Sequence, residues 1–116
     1  MGDSITRLYR QAQACRHDSP AISPTARLIR SGRNKVVQKF AEEAIEVVID
    51  AIHGDGDAIT KQSADLIYNL VVLWISADIR PEVVWKEMDR RGWLLSISEK
   101  KPKKRPGSAR KKGRAR

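Results

Sequence analysis

The chain has 116 residues, with 23 Lys and Arg against 14 Asp and Glu, for a formal net charge of +9. That length suits one small domain rather than two. A single cysteine, Cys15, excludes an intrachain disulfide, and no Cys/His cluster accompanies it to suggest zinc. No apolar run is long enough to span a bilayer and the N-terminus lacks the apolar core of a signal peptide, so a cytoplasmic protein without a membrane span is expected. The positive charge is not spread evenly. Ten basic and no acidic residues lie from Lys100 onward, which leaves thirteen basic against fourteen acidic residues before it. The expected organisation is a nearly neutral domain over 1–98 followed by a basic tail over 99–116.

Aliphatic residues are plentiful and aromatics make up only 5%, which favours helices over a β-sandwich. Ile5, Leu8, Ala12 and Cys15 recur at helical spacing and predict a first helix over 4–16, with Ser4 as its N-cap. Residues 17–24 contain Pro20 and Pro24 and read as a loop. Thr25 to Arg30 predicts one or two helical turns, broken at Ser31-Gly32. The strongest pattern covers 34–53, where Val36, Val37, Phe40, Ala44, Val47, Val48 and Ala51 recur at three and four residues. Asn34 is the expected N-cap, and Gly54-Asp55-Gly56-Asp57 the turn that follows. The next helix is expected from about Ala58 to Ala77. Ile59, Leu66, Ile67, Leu70, Val71, Leu73 and Trp74 make it apolar on more than one face, which predicts burial or a subunit interface. Pro81 fits the first turn of a helix over 81–91, with Val84, Trp85 and Met88 inward. Residues 92–98 read equally as an extension or as an arm. With no βαβ alternation and no Gly-rich phosphate loop, the expected fold is all-α, about four helices arranged as in a bundle. An apolar central helix in so short a chain further predicts a homodimer.

The chemistry concentrates on the two long helices. Glu43 and Glu46 are three residues apart and share a face, with Lys39 one turn earlier and Glu42 beside them. Gln62 and Asp65 repeat that spacing on the next helix, and Asn69 continues the face. Across a four-residue turn the helices run antiparallel. Glu46 lies eight residues before Gly54 and Asp65 eight after Asp57, so the two polar pairs are expected to face each other. Hard oxygen donors from two helices suit a magnesium-type ion with a phosphate-bearing ligand behind it. Ordinary solvated helix charges are the competing reading, and spacing alone leaves both open.

Three stretches carry a resemblance. They are Thr25-Ala-Arg-Leu28 with Gly32, Lys39-Phe-Ala-Glu-Glu-Ala-Ile-Glu-Val-Val48, and Ala64-Asp-Leu-Ile-Tyr-Asn-Leu-Val-Val-Leu73. Over roughly residues 4–91 the chain resembles the all-α NTP pyrophosphatase (MazG-like) superfamily, and within it the phosphoribosyl-ATP pyrophosphatases of histidine biosynthesis. The resemblance implies Mg2+ held by Glu43, Glu46, Gln62 and Asp65. It gives Glu42 an outer-ligand or water-orienting role alongside Glu43, Glu46 and Asp65 in catalysis, and Lys39 and Asn69 contact with the nucleotide substrate. The implied reaction is hydrolysis of phosphoribosyl-ATP to phosphoribosyl-AMP and pyrophosphate. Three positions depart from the family pattern. Gln62 replaces a glutamate, Asn69 a histidine and Pro24 a tyrosine. These departures keep two alternatives in view, a house-cleaning nucleoside triphosphate pyrophosphatase and a catalytically weak nucleotide- or nucleic-acid-binding relative.

The tail has no large apolar residue and is expected to be disordered alone. Contact with nucleic acid or another polyanion competes there with a merely solubilising role. Trp74, Trp85 and Trp93 are expected in packing rather than in a nucleotide pocket, and His17 and His53 as isolated surface or loop residues.

Overall fold

The computed structural model of the protein describes residues 3–93. The basic tail and the end of the 92–98 segment lie outside the described residues. Among the described residues are five α-helices and no strand: α1 (Asp3–Ala14), α2 (Pro24–Arg30), α3 (Arg33–His53), α4 (Gly56–Ser76) and α5 (Pro81–Arg91). The all-α expectation holds. The count exceeds four because the short 25–30 segment is a helix in its own right. Ser23 caps it, its hydroxyl accepting from the Ala26 N–H at 3.1 Å. Pro24 occupies the first turn, where a missing N–H costs nothing because that position has no intrahelical partner.

Two compact units divide the chain, Met1–Val84 and Trp85–Arg116. In the first, α4 is the central element. It packs along α3 and also meets α1 and α2. Its C-terminal half supplies most of the core, with Val71, Val72 and Ile75 fully buried and Trp74 nearly so, joined by Ala12, Ala26 and Val36. Each such aliphatic side chain contributes about 1.5–3 kcal/mol relative to leaving it in water. Trp74 is therefore a packing residue, as its spacing predicts.

Two local corrections concern the ends of α3. Its N-cap is Gly32 rather than Asn34. At φ 100° and ψ 161° Gly32 occupies a region that side chains avoid, and this sets how α2 feeds α3. A Cβ added there meets nothing within 4 Å, so any effect of substitution comes from the backbone alone. Gly32→Ala should lower unfolding free energy by about 1–3 kcal/mol, a loss that denaturant titration would read. At the other end, Gly54 is left-handed (φ 68°), and Asp55 already caps α4 by accepting from the Ala58 N–H at 3.1 Å. The link is two residues, not four. A capping aspartate lets α4 begin at Gly56, because the helix N–H groups find an acceptor at once.

The apolar pattern of α3 also divides differently from expectation. Val36 is buried, but Val37 and Val48 are 46% and 55% exposed, as are Ile45 at 57% and Ile52 at 77%. The helix has two apolar faces, and α4 covers one. In α4, for which burial or a subunit interface is expected, the C-terminal half is buried within its own chain, while Ile67 is 39% exposed.

In the second unit, Glu87 accepts from Arg90 Nε and Nη2 at 3.0 and 2.6 Å and from Arg91 Nε at 2.8 Å. These charge-assisted bonds hold its carboxyl down at about 2. With the folded value depressed, whatever stability the group contributes is present above the usual carboxylate range and is lost as pH falls toward 2. The Arg91 guanidinium also lies 5.2 Å from the centre of the Trp93 ring.

Candidate active site

The expected acidic residues lie mid-way along α3 and in the N-terminal half of α4. Glu43 is largely covered, with 15% of its side chain exposed, and its Oε2 lies 3.2 Å from Lys39 Nζ one turn back. Glu42 is exposed, and its Oε2 accepts from Gln38 Nε2 at 3.1 Å. Glu46 and Asp65 are exposed. Among the described residues no three Asp, Glu, His or Cys side chains gather closely enough to hold a metal ion. Two physical causes are visible. Like carboxylates repel one another unless a cation offsets their charge, and Glu43 takes Lys39 as its cation. The short link also shifts the expected register. Glu46 is eight residues before Gly54, whereas Asp65 is ten after Asp55. Asp65 therefore sits about 3 Å further along the axis than equal spacing would put it. Counting outward, Ser63 lies at the level of Glu46 with Gln62 one residue away, and Asp65 lies one residue from the level of Glu43.

The side-chain carbonyl oxygens of Gln62 and Asn69 are buried and have no hydrogen-bond partner among the described residues. Leaving such an acceptor unpaired costs about 1–3 kcal/mol, so each is a place where a donor or cation would be favoured. The orientation of Asn69 is fixed by its other edge, because Nδ2 donates to the Asp65 carbonyl at 2.8 Å. Asn69 is only 3% exposed. Gln62 suits a cation: it has a neutral oxygen on the helix face that also carries Asp65, a hard-ligand environment of the magnesium type.

Beside the acidic residues is a cleft of about 380 Å³ whose walls include Arg27 and Leu28 of α2, Lys35 and Lys39 of α3, and Tyr68 and Asn69 of α4. A second cleft of about 340 Å³ shares Leu28, Lys35 and Lys39 and adds Gln38 and Glu42. Thr25 Oγ1 and Tyr68 OH lie 2.5 Å apart and tie α2 to α4 at the edge of the first cleft. The structure thus brings Lys39 and Asn69 to one cleft and puts Glu42 on the wall of the neighbouring one. Arg27 and Lys35 are residues that sequence reasoning missed. In the sequence they are two more surface cations, and only the turn at Gly32 brings them to the same cavity. No tryptophan lines either cleft. His17 and His53 are exposed, Cys15 is a free thiol, and no helix among the described residues is long and apolar enough to cross a membrane.

An all-helical scaffold with oxygen donors on one side of a lysine and a cationic cleft on the other is laid out for a phosphate-bearing ligand. Comparison with known proteins specifies the class. Residues 5–92 match the phosphoribosyl-ATP pyrophosphohydrolase family. The chain is 58% identical over 103 residues to phosphoribosyl-ATP pyrophosphatase 2 of Bradyrhizobium diazoefficiens, an alignment covering 89% of this chain and 77% of that protein. It is 57% identical over 107 residues to the protein of the same name from Rhodopseudomonas palustris, covering 92% and 82%. Identity to the phosphoribosyl-ATP pyrophosphatase of Gluconobacter oxydans is 43% over 105 residues, covering 89% and 79%. The chain belongs to the phosphoribosyl-ATP pyrophosphohydrolase family, as the resemblance of its motifs implied.

Proposed function

We propose that this protein hydrolyses the α–β phosphoanhydride of phosphoribosyl-ATP, giving phosphoribosyl-AMP and pyrophosphate, the second step of histidine biosynthesis. The observation that carries this reading is the family match over residues 5–92. The layout of the site supports it. Glu42, held by Gln38, orients a water and accepts its proton. The water oxygen forms a bond to phosphorus as the bridging P–O bond breaks, and pyrophosphate leaves with the electron pair. Lys39 exchanges its contact with Glu43 for a phosphate oxygen, which leaves the Glu43 carboxylate available. Gln62, Glu43, Glu46 and Asp65 are the residues that would hold magnesium, with the unpartnered Gln62 oxygen the specific sign of fit. Bound magnesium supplies neutralisation of the phosphate oxygens and of the charge that develops on the leaving group. Mass analysis of the products tests the reading. Phosphoribosyl-AMP with pyrophosphate is the expected pair, and a diphosphate with orthophosphate would overturn it.

The reading includes a homodimer, for which the support is the α3 stripe. Val37, Ile45, Val48 and Ile52 follow one another at helical spacing on one exposed face, an uncovered apolar stripe of the kind that marks an interaction surface. Ile45→Lys should convert a two-copy species to a single chain in sedimentation at micromolar concentration. A wild type that sediments as one chain would remove the dimer from the account. The cytoplasm is the compartment that suits a soluble nucleotide substrate.

A further inference from the structure

We propose that the cleft shared by α2, α3 and α4 is a separate, metal-independent phosphate subsite. In it Arg27 and Lys35 hold the 5-phosphate of the ribose that distinguishes phosphoribosyl-ATP from ATP. The inference rests on the substrate proposed above and adds the residues that select it.

The charge balance of the cleft is the first argument. Arg27, Lys35 and Lys39 are on its walls, and among the described residues no acidic side chain is. Among the described residues Lys35 has no ion pair, and the Arg27 guanidinium donates to a neutral group, the Pro20 carbonyl, at 3.1 Å. Only Lys39 is matched by a carboxylate. Two uncompensated cations facing a cavity favour an anion. A volume of about 380 Å³ falls within the range of small-molecule sites, roughly 300–1,000 Å³.

Asn69 supplies a second and independent argument. It lines this cleft, is 3% exposed, and keeps an unpartnered Oδ1 while its amide nitrogen is held by the Asp65 carbonyl. A buried acceptor of that kind asks for an O–H or N–H from a ligand. An anion held by Arg27 and Lys35 with a hydroxyl donating to Asn69 describes a sugar phosphate. Leu28 and Tyr68 add apolar surface against which a ribose or base can lie. The neighbouring cleft differs in the way this division of labour requires. It shares Lys35 and Lys39 but includes Glu42, so a phosphate there meets a carboxylate and needs a metal to offset it. The triphosphate that reacts belongs on that acidic side, and the phosphate that only identifies the substrate belongs in the basic cleft.

Calorimetric titration of the full chain with ribose 5-phosphate in EDTA tests the subsite directly. Wild type should bind it without metal, and should not bind ribose. Arg27→Ala combined with Lys35→Ala should weaken binding about tenfold or more, while the charge-keeping pair Arg27→Lys and Lys35→Arg should retain most of it. Glu46→Ala should bind as wild type does. In turnover, the alanine pair should raise KM for phosphoribosyl-ATP with little change in kcat, and kcat/KM should fall by a larger factor than for ATP. Binding that requires magnesium, binding unaffected by the alanine pair, or an equal loss for ATP and phosphoribosyl-ATP would each overturn the assignment. A wild type that binds ribose 5-phosphate through these two residues but releases no pyrophosphate would sink the proposed reaction and leave the subsite standing.

Discussion

Glu46→Ala should reduce pyrophosphate release from phosphoribosyl-ATP by on the order of 10²–10⁴-fold, the range seen when one positioned group is removed from proton transfer or charge stabilisation. Glu46 is exposed on α3, so nothing in the core depends on it, and the variant should unfold at the wild-type temperature. The loss should appear in kcat more than in KM, because the account uses this carboxylate to hold the ion that meets developing charge rather than to bind the nucleotide as such. Steady-state kinetics at saturating magnesium, with a melting curve on the same sample, separates the two effects. A variant that keeps more than half of the wild-type rate would remove Glu46 from the site.

The second large effect concerns Gln62. Its Oε1 is buried without a partner, on a helix face that also carries Asp65. Gln62→Glu adds a charge where the account places an ion, so magnesium should bind roughly tenfold more tightly, since ligand charge count tunes such sites. The same charge is unfavourable without the ion, because a partly buried carboxylate three residues before Asp65 on the same helix face is both desolvated and repelled. The variant should therefore melt below wild type in EDTA and gain more than wild type on adding magnesium, as linkage requires of a ligand that binds the folded state. Equal magnesium affinity in the two proteins, measured by calorimetry, would show that Gln62 is not a ligand.

Much of the scaffold was legible in the sequence because its signals are local. The 81–91 helix has Pro81 at its start and ends where predicted, and α3 ends at Gly54 because a glycine there can take positive φ. Family motifs over 4–91 pointed to the family that residues 5–92 match. What sequence reasoning misjudged depended on distances set by single turns. Asp55 begins α4 two residues sooner than a four-residue turn would, and this shifts Asp65 along the axis relative to Glu46. The apolar pattern of α4 foretold burial or an interface, and its C-terminal half is buried against elements of the same chain, while the uncovered stripe is on α3, whose periodicity gave no sign of which face α4 would take. Arg27 and Lys35 could not have been selected from sequence, since their meeting depends on the backbone at Gly32. The unpaired Gln62 and Asn69 oxygens are likewise visible only in three dimensions, although both residues stood out as departures from the family pattern.

The central claim is that Glu42, Glu43, Glu46, Gln62 and Asp65 serve one reaction on one substrate. A pyrophosphate-release assay with magnesium, comparing kcat/KM for phosphoribosyl-ATP with that for ATP, dATP and oxidised-base triphosphates, tests it most directly. The account predicts release from phosphoribosyl-ATP at least about a hundredfold more efficient than from any of the others. Comparable or better turnover of an ordinary or damaged triphosphate, or no turnover of any, would contradict it.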